Sequence, residues 1–323
     1  MMQNDHKINF GKVAVLLGGK SAEREISLLS GAAILQGLKD QAVDAYPVDA
    51  GNDVIEQLIA GKFDRVFIAL HGKGGEDGVI QGVLETLGIP YTGSGVLGSA
   101  IAMDKLRSKQ ICSSVGLAVI NGESILASQH LSLTKARQML ARLGMAVMVK
   151  PSAEGSSLGM AKAETAQQLL DALAGAAKFG GEILIERWID GPEYTVALLG
   201  EKILPVIQIK PAREFYDYTA KYSASGTEYF CPTDLSKGQE ATLKNRAKLA
   251  FSAINCSGWG RVDFIRNKAS ENFYMLEVNT VPGMTKSSLV PKAAKAVGLS
   301  FSELVIEILK TSITDHQSEV ADD

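Results

Sequence analysis

Apolar and polar positions along the chain fall into short blocks. "KVAVLLGG" is a strand-length apolar run that ends in paired glycines, and "SAEREISLLSGAAILQGLK" follows as a helix, with Ser21 as its expected N-cap and acidic residues in the first turn. "DAYPVDA", "VIEQLIAG", "RVFIAL", "VIQGVLETLG" and "IPYTGSG" continue the strand and helix alternation, which predicts a parallel, doubly wound α/β domain over residues 11 to 95. The loops "GGKSAERE" and "HGKGGEDG" then sit at the carboxyl ends of strands, where such sheets carry their functional residues.

From about residue 103 the pattern changes. A helix is expected over "MDKLRSKQICSSVG", then a strand leading into "VKPSAEGSSLGM", a helix over "ETAQQLLDALAGAAKFG" and a strand over "EILIERWI". "GPEYTVALLG" and "EKILPVIQI" alternate like antiparallel strands. Residues 211 to 238 form a long, tyrosine-rich irregular stretch, the mark of a functional lid or a disordered segment. The tail "TDHQSEVADD" reads as disordered.

One pair of strands breaks the apolar rule. In "GRVDFIRNKASENFYMLEVNT", residues 260 to 280, Arg261 and Asp263 share one face of their strand, and Glu277 and Asn279 share one face of theirs. The polar stretch Asn267 to Asn272 between them suits a hairpin turn that would join the two faces. Burying neighbouring carboxylates requires a compensating cation. Arg261 could serve by salt bridging to Asp263 or Glu277. Alternatively Asp263, Glu277 and Asn279 are three hard oxygen ligands suited to Mg²⁺, which fills its remaining positions with water and substrate phosphates.

Composition narrows the class. With 46% apolar and 21% charged residues and a formal net charge of −3, the 323 residues describe two or three ordinary globular domains, without the basic stripe that nucleic acid or a membrane surface would require. The N-terminus "MMQNDHKINF" lacks an apolar run of signal-peptide length, and no segment approaches membrane-spanning length, so a cytoplasmic location is expected. Cys112, Cys231 and Cys256 are odd in number and scattered, so they read as small buried or half-buried residues. His6, His71, His130 and His316 are too dispersed for a metal cluster.

Nucleotide motifs divide sharply. "GGKS" at 18 to 21 imitates a P-loop, but its leading glycine would fall at Ala14 inside a strand. "GSGVLG" at 93 to 98 fits a dinucleotide fingerprint, yet no acidic residue follows at the required distance. "VKPSAEGSSLGM" places Lys150 at the end of a strand before the small residues Gly155, Ser156, Ser157 and Gly159. Backbone amides beside an ammonium make a phosphate cradle, the alternative being a plain surface turn.

Taken in order, "LGGKSAEREISL", "FIALHGKGGEDG", "YTGSG", "MDKLRSK", "KPSAEGSSLGM", "IERWIDGPEYTV", "FYDYTAKY", "GWGRVDF" and "LEVNTVPGMTKSSLVP" resemble the signatures of the D-alanine–D-alanine ligase family of ATP-grasp enzymes. The resemblance covers almost the whole chain. It implies an α/β and α+β architecture: a Rossmann-like parallel α/β domain over residues 1–102, a central ATP-grasp domain over 103–188, and a C-terminal ATP-grasp domain over 189–323 with a lid at 211–238. ATP would lie between the latter two. Lys105 and Lys150 would contact its phosphates under the loop of Ser156 and Ser157. Glu186 and the backbone through Arg187 and Ile189 would receive the adenine, Glu193 the ribose, and Lys221 would join the nucleotide site. Asp263, Glu277 and Asn279 would hold two Mg²⁺ ions, for which Mn²⁺ is an acceptable substitute.

The implied chemistry forms an acyl phosphate on one D-alanine, which the amine of a second D-alanine attacks. Arg261 and the backbone amide of Gly283 would stabilise the oxyanion. Glu23 would meet the first ammonium and Ser288 the second carboxylate, Ser156 and Tyr222 would link to Glu23, and His71 matches the family's active-site histidine. The resemblance further implies cell-wall precursor synthesis in the cytoplasm by a homodimer. Arg187 stands where lysine is common, and Lys286 with Ser287 replaces a Ser-His pair. Three rivals are a D-alanine–D-serine or D-alanine–D-lactate ligase of the same fold, a nucleotide sensor that has lost catalysis, and a nicotinamide-dependent oxidoreductase resting on "GSGVLG". Lys221 and Tyr222 favour the dipeptide product, and retention of Lys150, Arg261, Asp263, Glu277 and Asn279 argues against the sensor.

Overall fold

The computed structural model describes residues 8–210 and 226–313. Three sheets organise them. The first is the expected parallel one, in the order β2-β1-β3 with β1 at Val13–Leu17, β2 at Ala45–Asp49 and β3 at Arg65–Ile68. Helices α1 (Arg24–Asp40), α2 (Val54–Gly61) and α3 (Val79–Leu87) alternate with its strands. "IPYTGSG" contributes only a single parallel bridge, Val66 with Tyr91. Ser21 is not the N-cap of α1; Glu23 occupies that position. Ser21 Oγ instead accepts the Glu23 amide at 3.1 Å and donates to the His71 carbonyl at 2.7 Å, so it ties two loops rather than ending a helix.

The helix expected from residue 103 is present from Lys105, and another helix precedes it. Helix α4 (Val96–Met103) ends at Asp104, whose extended backbone and side chain cap α5 (Lys105–Ser114) by accepting the Leu106 and Arg107 amides. An antiparallel sheet follows, in the order β4-β7-β5-β6, from β4 (Gly122–Leu126), β5 (Val147–Pro151), β6 (Ala161–Ala163) and β7 (Glu182–Arg187). Helices α6 (Leu133–Leu143) and α7 (Ala166–Ala177) bury Met139, Leu140, Leu169 and Leu173 with its strands in one apolar cluster.

The third sheet has the order β11-β10-β8-β12-β13, with β9 beside β8. Its strands are β8 (Glu193–Leu199), β9 (Lys202–Ile203), β10 (Ile207–Lys210), β11 (Glu228–Phe230), β12 (Trp259–Arg266) and β13 (Phe273–Asn279). The antiparallel reading of β8 and β10 is correct, and the supposedly irregular 211–238 stretch includes β11. One face of this sheet packs Tyr194, Val196, Val262 and Phe264 against Cys112 of α5 and against α8 (Lys237–Ala253). The other face sends Ala197, Leu199 and Trp259 into a cluster shared with the first sheet, α9 (Leu289–Ala296) and α10 (Phe301–Lys310). The three cysteines are free, Cys112 buried and the others half-buried.

The second and third sheets meet at the loop between β7 and β8. Lys268 donates its amide to the Asp190 carbonyl and Arg266 its amide to the Pro192 carbonyl, which draws the hairpin against Gly191. A methyl group at Gly191 would lie 1.7 Å from the Arg266 carbonyl oxygen. Gly191→Ala is therefore expected to destabilise the protein by about 2 kcal/mol or more, since backbone on both sides must move. Chemical denaturation would show this, and an unchanged midpoint would refute the close approach.

Candidate active site

The β12-β13 hairpin forms as the polar pattern required. Asn267 to Asn272 make the turn, Arg261 pairs with Asn279, and Asp263 pairs with Glu277. Along β12, Trp259, Arg261, Asp263 and Ile265 share one face while Val262 and Phe264 enter the core on the other. On β13 a register shift opposite Asp263 and Phe264 changes the parity: Phe273 and Met275 face the core, but so does Val278. Without that bulge, Glu277 and Asn279 would follow Met275 into hydrocarbon. With it they stand on the Asp263 face.

Asp263 is buried and fully engaged. Arg261 donates from Nε to Oδ1 at 2.8 Å and from Nη2 to Oδ2 at 2.7 Å, a bidentate pair. Thr195 of β8, register partner of Asp263, donates to Oδ1 at 2.6 Å, and Asn279 Nδ2 donates to Oδ2 at 3.1 Å. Glu277 pairs with Lys105 at 3.3 Å. Both carboxylates thus have a cation. The salt-bridge and metal readings of the hairpin are compatible, because the same carboxylate oxygens that now face Arg261 and Lys105 are hard ligands fit for Mg²⁺. No group of three His, Cys, Asp or Glu able to hold a metal occurs among the described residues; what the hairpin could offer a cation is two carboxylates and an amide oxygen.

Two clefts flank this hairpin. The first, about 890 Å³, lies between the second and third sheets and is lined by Lys105, Lys150, Ser157, Glu186, Arg187, Ile189, Glu193, Asp263 and Glu277. Ile120, Met148, Ile265 and Leu276 give it apolar walls, and the bulge lets the adjacent Leu276 and Glu277 both face it. At its end Glu186 is buried between two ammonium groups: Lys109 on Oε1, and Lys150 on Oε2 at 2.7 Å. Burial alone would raise the Glu186 carboxyl, but the two lysines outweigh it and hold it below the usual carboxylate range. Ser156 and Ser157 take positive φ values of 49° and 59°, and the Leu158 amide donates to the Gly155 carbonyl at 3.0 Å, so the loop after Lys150 closes as a β-turn with both central residues left-handed.

The second cleft, about 1260 Å³, is lined by Glu23, His71, Glu76, Ser156, Arg261, Asn279, Gly283 and Ser288. Ser156 Oγ bonds to Glu23 Oε1 across 133 residues of sequence. Glycine makes room for that carboxylate from two sides: a methyl at Gly72 or Gly155 would lie 2.5 or 2.7 Å from Glu23 Oε2. Ser288 Oγ accepts the Thr285 amide at 3.0 Å at the start of α9, in the same turn as Lys286 and Ser287.

His71 is buried with both ring nitrogens engaged. The Val281 carbonyl, 3.0 Å from Nδ1, only accepts, so Nδ1 carries the proton, and Nε2 receives the Ser30 hydroxyl, which itself accepts the Met284 amide. The ring therefore pins the strand exit that holds Gly283 to helix α1. Burial drives its pKa down to about 4, against the Val281 carbonyl and with help from Arg261. The folded protein thus binds this proton less readily than the unfolded chain. The contribution is full above pH 6.5 and is lost as pH falls towards 4, amounting to about 3 kcal/mol. Unfolding free energies at pH 7 and pH 4 should show a smaller acid loss in His71→Asn; an equally steep loss would refute the assignment. Glu76 accepts the Gly72 amide at 2.7 Å, and burial followed by Glu23 raises its carboxyl to about 8.

The sequence profile described as the D-ala D-ala ligase C-terminus matches residues 111–310, and that of the D-ala D-ala ligase N-terminus matches residues 49–94. The chain belongs to the D-alanine–D-alanine ligase family. A D-alanine–D-alanine ligase from Bacillus anthracis complexed with ATP is 32% identical, with a TM-score of 0.82 over 96% of this chain and 99% of that one. Another structure of the Bacillus anthracis ligase gives 34% identity and a TM-score of 0.83 with the same coverage. The VanG D-Ala:D-Ser ligase from Enterococcus faecalis is 29% identical, with a TM-score of 0.79 over 94% of this chain and 99% of that one. The architecture above is the ATP-grasp fold of D-alanine–D-alanine ligases.

Of the nucleotide residues carried over from the D-alanine–D-alanine ligase family, all but Lys221 line the first cleft. Of those assigned to the amino acids, all but Tyr222 line the second. Lys221 and Tyr222 lie outside the described residues. Both departures from the family pattern sit on cleft walls: Arg187, whose amide bonds the Asn121 carbonyl, on the first, and Lys286 and Ser287 on the second. Three residues escaped sequence reasoning. Thr195 was signalled only by a hydroxyl within an apolar strand, Glu76 only by its place in "HGKGGEDG", and Lys109 only by standing one helical turn after Lys105.

Proposed function

We propose that the first cleft takes ATP and the second takes two D-alanine molecules, in the ligation that makes D-alanyl-D-alanine for the cell wall. The observation that carries this division is the hairpin between them: Asp263 and Glu277 face the first cleft, while Arg261 and Asn279 face the second. A phosphoryl group transferred from one cleft to a carboxylate in the other would pass this wall.

Lys105 and Lys150 orient the phosphates, and the apolar walls around Met148, Ile189 and Leu276 take the base. Glu23 receives the first ammonium, Arg261 and the Gly283 amide polarise its carboxylate and then stabilise the oxyanion of attack, and Ser288 fixes the second carboxylate. Asp263, Glu277 and Asn279 would hold Mg²⁺, which when bound neutralises charge on the transferring phosphoryl group. His71 and Glu76 shape the amino-acid cleft from behind. The three sheets suit a division at residues 102 and 188, with α5 packed on the third. Among the described residues no helix is long and apolar enough to cross a membrane; a cytoplasmic homodimer completes the proposal.

Mg²⁺-dependent ADP release should be measured with D-alanine, L-alanine, D-alanine plus D-lactate, D-alanine plus D-serine, and no amino acid, with mass analysis of the product. ADP and D-alanyl-D-alanine are expected with D-alanine alone. A mixed product formed in preference to the dipeptide would reassign the second cleft, and absence of ADP throughout would overturn the proposal.

A further inference from the structure

Helix α5 carries two lysines one turn apart, on one face. Lys105 points to Glu277 on β13, and Lys109 points to Glu186 on β7, so one helix reaches carboxylates in both sheets that enclose the nucleotide cleft. Lys105 lines that cleft. Lys109 stands behind Glu186, outside the lining.

The three-residue cluster has a definite division of labour. Glu186 has two oxygens, and each is taken by one lysine: Oε1 by Lys109, Oε2 by Lys150. All three side chains are buried, so the interaction acts in a medium of low dielectric where a missing or extra charge is felt strongly. With Lys109 in place, the cluster carries one net positive charge, and Lys150 is needed at only one carboxylate oxygen. Without it, Lys150 would have to satisfy both oxygens and the cluster would be neutral. An ammonium held twice by its own carboxylate is less able to reach a phosphate.

We propose that Lys109 is a positioning residue for nucleotide binding, occupying half of the Glu186 carboxylate so that the Lys150 ammonium stays directed into the cleft with its charge uncancelled. This rests on the assignment of that cleft to ATP. The groups facing Lys109 are Glu186 on β7, Lys150 on β5 and, farther off, Glu277 on β13, so removal of its charge is felt chiefly by the nucleotide site and not by the amino-acid cleft.

The test uses the full chain, with ATP and Mg²⁺ as the titrant in calorimetry and with steady-state KM values for ATP and D-alanine. Lys109→Met is expected to weaken ATP binding and raise its KM by about tenfold or more, the scale of outer-partner losses at ion sites, while the KM for D-alanine stays unchanged. Lys109→Gln keeps a donor for Glu186 Oε1 but no charge, so it should lose ATP affinity yet lose less than the Met variant, which leaves both carboxylate oxygens to Lys150. If the Met variant does not fold, the Gln variant carries the same comparison. Unchanged ATP affinity in a folded variant, or equal losses for ATP and D-alanine, would overturn the role of Lys109. Failure of the wild-type protein itself to bind ATP would instead remove the assignment of the cleft.

Discussion

Asp263→Asn is expected to abolish most Mg²⁺-dependent turnover, by roughly 10³-fold, while leaving the protein folded. The reason lies in what the substitution preserves. An asparagine oxygen can still accept from Thr195 and from Arg261 Nε, as Asp263 Oδ1 does at 2.6 and 2.8 Å, so the strand contacts survive. What disappears is the negative charge facing the nucleotide cleft and the anionic oxygen that a hard divalent cation prefers. The new amide also meets the Arg261 and Asn279 donors where Oδ2 had accepted both, a local mismatch that lowers stability less than it lowers activity. ADP release measured across a Mg²⁺ titration, beside a far-ultraviolet spectrum, separates the two effects. A folded variant with wild-type Mg²⁺-dependent turnover would remove Asp263 from the metal set.

Arg261→Met should produce the second large effect, and in two readouts. Turnover is expected to fall by about 10²- to 10³-fold because the guanidinium assigned to the oxyanion is gone. Stability in Mg²⁺-free buffer should fall by roughly 3–5 kcal/mol, since Asp263 loses its bidentate partner while remaining 10% exposed. A second consequence separates the structural from the catalytic role. With Arg261 absent, a divalent cation becomes the principal means of compensating Asp263, so thermal stability of the variant should rise on adding Mg²⁺ by more than it does in the wild type. Equal Mg²⁺ responses would mean that Asp263 and the cation do not meet.

Both predictions concern a hairpin whose importance is legible in the amino-acid pattern itself. Charged residues at alternate positions of two apolar strands are costly, and the spacing of Arg261 with Asp263 and of Glu277 with Asn279 depends only on the two-residue period of a strand. The loop proposed for the nucleotide is legible for a similar local reason: a lysine near the end of a strand is followed by small residues. The alternation that builds the parallel sheet likewise depends on nearest neighbours along the chain.

Elsewhere a long-range contact overrides the local pattern. Ser21 does not cap α1 because its hydroxyl finds a carbonyl 50 residues away, at His71. The helix expected from residue 103 starts only at Lys105, because Asp104 caps it with a carboxylate that also accepts from Ser152, 48 residues away, at 2.7 Å.

The sequence by itself determined the polar rows, the strand and helix periods and the family signatures, because each is a property of residues close together in the chain. Tertiary structure alone decided that a bulge in β13 turns Glu277 and Asn279 out of the core and onto Asp263, that His71 anchors the Gly283 loop, and that Lys109 shares Glu186 with Lys150. In each case the deciding energy is the compensation of a buried polar group by a partner from another element, and strand or helix period does not specify which distant residue will supply it.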